Sequence, residues 1–179
     1  FVYQGPNMLA LLQERDADDE RIAQYTVGQG LESMNRDGVS SFYHFDGLGS
    51  TFELTDKDGE VTDAYLYNAW GEVLERTGTT VNPHTYIAGG RYYSLPDLAA
   101  FLLSVRTYRP VLGVLLTADP IGICSYAYAA AQPTVAIDPY GLFTWHPSVW
   151  QFGTRPPHYT REDPSTWFHK PPEALPWPV

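Results

Sequence analysis

Between Arg106 and Leu142 the chain reads Arg106-Thr107-Tyr108-Arg109-Pro110, then Thr117-Ala118-Asp119-Pro120-Ile121-Gly122, then Tyr126-Ala127-Tyr128, and last Ile137-Asp138-Pro139-Tyr140-Gly141-Leu142. Two Asp-Pro-x-Gly sequences and one upstream arginine bracket a single short segment. In each, aspartate suits the first position of a type I turn, proline the second and glycine the fourth. Taken alone, either copy reads as a turn. Upstream the chain has the look of strand-and-turn scaffold, and downstream its composition changes.

Residues 1–100 carry a loose repeat. Met8-Leu9-Ala10-Leu11-Leu12 reads as a strand, Asp16-Ala17-Asp18-Asp19 as a polar turn, and Arg21 to Val27 as a second strand ending at Gly28. Arg36-Asp37-Gly38 is a hairpin signal of the Asp-Gly kind. Strands are then expected at Thr51–Thr55 and from Val61 to Tyr67, separated by the turn Asp56-Lys57-Asp58-Gly59, with a further strand and turn between Gly71 and Asn82. Phe45-Asp46 and Tyr67-Asn68 stand 22 positions apart, each followed by a glycine, Gly49 or Gly71. Self-similarity at a fixed period marks repeat architectures, in which each unit buries its apolar face only by stacking on its neighbours. Alternation in Tyr65-Leu66-Tyr67 puts the two tyrosines on one face of a strand. There they form a structural ladder or, in a functional reading, a stacking surface for a sugar or peptide.

From Phe143 onward four of the five tryptophans appear, Trp145, Trp150, Trp167 and Trp177, among crowded prolines. That much proline disfavours both helix and strand, so an irregular aromatic tail is expected. Its basic and acidic residues cancel, and the net charge of −10 belongs to residues 1–142.

The chain has 179 residues, 15% aromatic, with 15 glycines and 15 prolines. Short strands and tight turns fit that mix better than long helices. The acidic balance argues against nucleic acid or an anionic membrane as partner, and no apolar run is long enough for a membrane-spanning helix. A single cysteine, Cys124, excludes an internal disulfide and reads as a small buried hydrophobe. His146, His158 and His169 lack paired-ligand spacing, so no metal and no cofactor is expected. Phe1-Val2-Tyr3 reads as starting mid-strand, as in a piece of a longer polypeptide.

The order arginine, Asp-Pro-x-Gly, a Tyr-x-Tyr strand, Asp-Pro-x-Gly-Leu resembles the C-terminal core of the Rhs (YD-repeat) family, and the tyrosine- and aspartate-marked units upstream resemble its repeats. Asn82 to Arg91 resembles the linker into that core, and Phe101 to Tyr108 aligns with its arginine-bearing strand. Arg109 departs from the family, which usually has aspartate there, as does Val114-Leu115, where Arg-Phe is usual. The resemblance implies an all-β fold: antiparallel YD-repeat hairpins over residues 1–85 forming part of a curled β-shell, a core plug over 86–142, and the Pro/Trp-rich tail over 143–179. It further implies a toxin or other secreted repeat protein whose shell encapsulates a C-terminal cargo, handled by a secretion-system or delivery protein and found outside the cell or at its surface.

By the same resemblance Asp119 and Asp138 are a catalytic carboxylate pair, Arg106 is the third site residue, and the chain cuts itself between Leu142 and Phe143. Two aspartates sharing a site do not both ionise easily, so one can act as base and the other as acid. Arg106 either holds one of them ionised or stabilises charge on the carbonyl oxygen. The alternative is a non-catalytic structural or adhesive module in which the aspartates are only turns and the tail is permanently docked.

Overall fold

In a computed structural model the described residues are 2–4, 10–28, 30–119 and 126–142. Eight strands, β1 (Val2–Gln4), β2 (Ala10–Arg15), β3 (Arg21–Val27), β4 (Leu31–Arg36), β5 (Val39–Phe45), β6 (Thr51–Thr55), β7 (Val61–Tyr67) and β8 (Val73–Thr77), pair antiparallel in sequence order. A second antiparallel sheet, in the order β12-β11-β10-β9, is built from β9 (Tyr93–Leu95), β10 (Ala100–Leu102), β11 (Thr107–Arg109) and β12 (Val114–Leu115). The fold is all-β, as the residue pattern predicts. Met8 and Leu9, Cys124 and the whole of 143–179, with its tryptophans and histidines, lie outside the described residues.

The large sheet follows from alternation. Ala23 and Tyr25, Ser41 and Tyr43, and Asp63 and Tyr65 are buried on one face, while neighbours on the other face, such as Gln24, Phe42 and Leu66, are exposed. Tyr25, Tyr43 and Tyr65 pack with Leu11, Leu31, Met34 and Leu54 in one apolar cluster. Within a strand the i and i+2 rings stack: Tyr43 on Phe45 with centroids 5.9 Å apart, and Tyr65 on Tyr67 at 6.3 Å. The tyrosines therefore form the structural ladder, since their rings are covered rather than offered to solvent.

One five-residue corner recurs along the sheet. At Asp46 the side-chain Oδ1 accepts the N–H groups of Leu48 and Ser50 at 2.9 and 2.8 Å, and the Asp46 N–H closes onto the Ser50 carbonyl at 2.8 Å. Asp16, Asp56 and Asn68 repeat the pattern, each accepting from the residues two and four positions on and closing onto the fourth. The fourth corner residue has positive φ in every case: Asp19 (63), Gly49 (88), Gly59 (84) and Gly71 (90). Glycine adopts that conformation without steric cost, which explains its place in three of the four. An asparagine oxygen accepts as an aspartate oxygen does, so Asn68 builds the same turn.

After β8 the chain runs across the buried side of the sheet. Thr51 donates its N–H to the Thr85 carbonyl and its hydroxyl to the His84 carbonyl, at 2.8 and 2.7 Å, and Gly89 donates to Gly49 at 2.8 Å. Tyr43 donates to Asn82 Oδ1 at 3.0 Å. His84 is buried, its ring edge-on to Tyr25 and Tyr93, with Nδ1 3.0 Å from the Tyr92 carbonyl. A carbonyl only accepts, so Nδ1 carries the proton. Burial pushes the imidazole down to about 4, so the ring is neutral at physiological pH.

This crossing delivers the chain to a second cluster around Tyr86, Tyr92, Phe101, Leu103, Tyr108 and Tyr128. Tyr108 and Tyr128 stack with centroids 3.9 Å apart, and such aromatic pairs contribute about 1 kcal/mol beyond simple burial. The repeat sheet docks here through its last corner: Tyr108 donates to the Trp70 carbonyl at 2.7 Å. A Cβ on Gly71 would stand 2.4 Å from the Tyr86 ring, so only glycine fits beneath it.

Two local expectations are corrected. Phe101 to Tyr108 is not one strand but the hairpin β10–β11, because Ser104 and Val105 form the turn and the Leu103 N–H closes onto the Arg106 carbonyl at 2.8 Å. Tyr126-Ala127-Tyr128 is not a strand either. It makes one antiparallel bridge, Val114 with Ala127, before a 3-10 turn at Ala129–Ala131.

Candidate functional site

Arg106 stands immediately before β11, its backbone committed to the β10–β11 turn. Next to it, the Val105 N–H donates to the Tyr140 carbonyl at 3.2 Å, binding the hairpin to the Asp138–Leu142 segment. Gly141 has φ 74, and a Cβ there would stand 3.0 Å from the Arg106 Cβ. Glycine thus supplies both the left-handed turn and the space in which the arginine stem lies against the chain.

The three charged residues meet below the surface. Arg106 is 3% exposed, Asp119 8% and Asp138 2%. One guanidinium nitrogen, Nη2, lies 3.5 Å from Asp119 Oδ2 and 3.5 Å from Asp138 Oδ2. The two aspartates are 19 positions apart in the chain and share a single cation. An ion taken out of water costs several kcal/mol unless it is paired, so each of the three depends on the others. Arg106 Nε also donates to the Gly141 carbonyl. From the other side, Asp138 Oδ1 accepts the Leu142 N–H at 2.9 Å. The peptide unit joining Gly141 to Leu142 is therefore held at both ends, its oxygen by the arginine and its nitrogen by the aspartate. Leu142 is half-buried and is the last described residue; Phe143 lies outside the described residues, as do Pro120 and Gly122 of the first Asp-Pro-x-Gly.

Asp138–Leu142 is the repeat corner again. Oδ1 takes the N–H four residues on, Gly141 donates to the Asp138 carbonyl at 3.2 Å, and the fourth residue has positive φ. One bond differs. In the repeats the first N–H closes onto the carbonyl four residues later, whereas the Asp138 N–H donates to the Tyr92 hydroxyl at 3.2 Å. That hydroxyl donates in turn to the Asp138 carbonyl at 2.8 Å and lies 3.0 Å from the Tyr128 hydroxyl. Burial pushes both tyrosines well above their ordinary range, so both remain O–H donors.

Sequence reasoning gave Tyr92 no role. Its role rests on a backbone partner 46 positions away, for which no local pattern exists. Among the described residues no group of three or more His, Cys, Asp or Glu is disposed to hold a metal ion, and no helix is long and apolar enough to cross a membrane.

No family model matches the chain. Over 156 residues, 81% of its length, it is 30% identical to the tRNA3(Ser)-specific nuclease WapA of Bacillus spizizenii, of which it covers 7%. It is 29% identical over 129 residues, 69% of its length, to the double-stranded DNA deaminase toxin A of Burkholderia cenocepacia, covering 9% of that protein. The chain thus spans less than a tenth of these curated relatives. In the crystal structure of TcdB2-TccC3-Cdc42, a region covering 67% of this chain and 6% of the other superposes with a TM-score of 0.59 at 16% identity, so the two share a fold. Sequence relatives and common fold together support the Rhs family for this chain, which corresponds to a short segment of much longer Rhs-type toxins.

Proposed function

We propose that this chain is the closing core of an Rhs-type toxin shell and that it cuts itself once, after Leu142, releasing the segment that begins at Phe143. The reading divides the chain into repeats over 1–85, core over 86–142 and a released or plugging segment over 143–179. The observation that carries it is the sharing of one buried guanidinium nitrogen by two carboxylates, Asp119 and Asp138, while the same two site residues, Arg106 and Asp138, grip the peptide unit next to the proposed scissile bond. A turn needs only the Oδ1 contacts. It does not need a second carboxylate and an arginine sealed against it.

In this mechanism one carboxylate takes a proton from a water whose oxygen bonds to the Leu142 carbonyl carbon. Arg106 is the cation available to the developing oxyanion. The other carboxyl gives its proton to the Phe143 nitrogen as the C–N bond breaks, leaving a carboxyl group on Leu142 and an amine on Phe143. Asp138 lies four residues before that bond, so the reaction is intramolecular and needs no substrate binding. Encapsulation and delivery of a cargo belong to the same proposal, supported by relatives that include a toxin and by the fold shared with a solved Tc toxin complex.

Intact-mass analysis of the full 179-residue chain tests it. A product ending at Leu142, absent in Asp119→Asn and Asp138→Asn, supports the protease. A chain that stays whole through days of incubation supports the structural module with a docked tail.

A further inference from the structure

We infer that Tyr92 is a positioning residue for self-cleavage, one that unhooks the Leu142 carbonyl from the corner that contains it. This rests on the proposed autoproteolysis. In all four repeat corners the N–H of the first residue is closed onto the carbonyl of the fifth. Applied to Asp138, that bond would fall on the Leu142 carbonyl, the group that water must attack. A carbonyl closed into a turn by a backbone N–H is fixed in the orientation that suits the turn rather than the reaction. Tyr92 takes the N–H instead.

The hydroxyl's geometry suits this task. A phenol has one proton to give and two lone pairs to receive with. Tyr92 donates to the Asp138 carbonyl and receives from the Asp138 N–H, leaving a lone pair for the Tyr128 hydroxyl. Both backbone groups of the aspartate are thereby fixed by one side chain, which is itself wholly buried and edge-on to Tyr128 with centroids 6.4 Å apart. The aspartate is held from behind while its two oxygens face Leu142 and Arg106.

Tyr92→Phe removes the hydroxyl and leaves the ring. The Asp138 N–H then falls back onto the Leu142 carbonyl, as in a repeat corner. The expected result is a cutting rate lowered roughly 10- to 100-fold, the scale of a small misplacement of reacting groups. Tyr128→Phe is the control: it deletes a hydroxyl from the same buried cluster but neither bond to Asp138. It should lower the melting temperature by a similar amount and leave the rate within about twofold of the parent. Equal slowing by both variants, or no slowing by Tyr92→Phe in a parent that cuts, overturns the inference alone. A parent that never cuts overturns the proposed function, and the inference with it.

Discussion

The corner at Asp46 and the corner at Asp138 are the same turn in two environments. Both use an aspartate oxygen to collect the N–H four residues on, and both have glycine with positive φ in the fourth place. Asp46 is exposed, and it makes the hydrogen bonds of the turn. Asp138 is buried, has an arginine on its second oxygen, and passes its N–H to a tyrosine. A fold that already places aspartate or asparagine at its corners needs only burial, one cation and a second carboxylate to convert a turn into the site proposed above. The comparison also shows why the Asp-Pro-x-Gly sequence by itself is ambiguous: the turn and the site employ different oxygens of one side chain.

Breaking the difference at its cation should have the largest effect. Arg106→Leu leaves two carboxylates buried without their shared partner, and the loss of one member of a buried ion pair costs about 3–5 kcal/mol. Urea denaturation should register that loss, and cutting should cease. A variant as stable as the parent would mean that the site is wetter than its burial implies.

The next effect concerns the crossing segment that joins the two corners' surroundings. His84 is neutral in the folded chain, with its pKa lowered from 6.5 to about 4. The unfolded chain takes up a proton as pH falls below about 6.5 while the folded chain does not, so stability declines through that window and levels off below about 4. The full effect is about 3 kcal/mol. His84→Gln should flatten the dependence of the urea midpoint between pH 6.5 and 4. Asp63 acts in a separate window: although burial raises its carboxyl, hydrogen bonds from Thr80, Thr62 and Arg76 hold it below the usual range, so its contribution is lost only at still lower pH. An unchanged slope in the His84 variant would assign the acid sensitivity to carboxylates instead.

Smaller effects sharpen the comparison at the turns themselves. Gly141→Ala must accept φ 74 and crowd the Arg106 stem, a cost of about 1–2 kcal/mol together with slower cutting. Asp46→Ala removes an exposed acceptor of two N–H groups and should cost about 1 kcal/mol, similar to losing a helix cap, with the cutting rate unchanged. A slowed rate in the Asp46 variant would show that the two corners are mechanically coupled, contrary to their separation into turn and site.

Much of the repeat sheet was legible because local chemistry decides it. Alternation bounded by Asx and Gly turns identifies β3, β6 and β7 with the limits the structure has. The 22-residue spacing of Asp46 and Asn68 is visible, whereas Asp16 and Asp56 read only as polar turns and prove to be the same corner. What was hidden depends on distant contacts. Residues 82–88 look like a linker and are buried, and Gly49, Ser50 and Thr51 supply hydrogen-bond partners along this stretch and at Gly89. The hairpin inside Phe101–Tyr108 is concealed by an apolar run with no glycine at its turn. Of the site, the arginine and both aspartates carry a motif; Tyr92 carries none, since a hydroxyl bonded to remote backbone leaves no trace in spacing.

The most direct measurement is a time course of intact mass for the full chain beside Asp138→Asn and Asp46→Asn. Asn68 builds its corner with an amide oxygen, so both variants keep the acceptor that their turns use. The account predicts that the parent and Asp46→Asn yield the fragment ending at Leu142 at equal rates, while Asp138→Asn remains whole. Cutting by Asp138→Asn at the parental rate would contradict it.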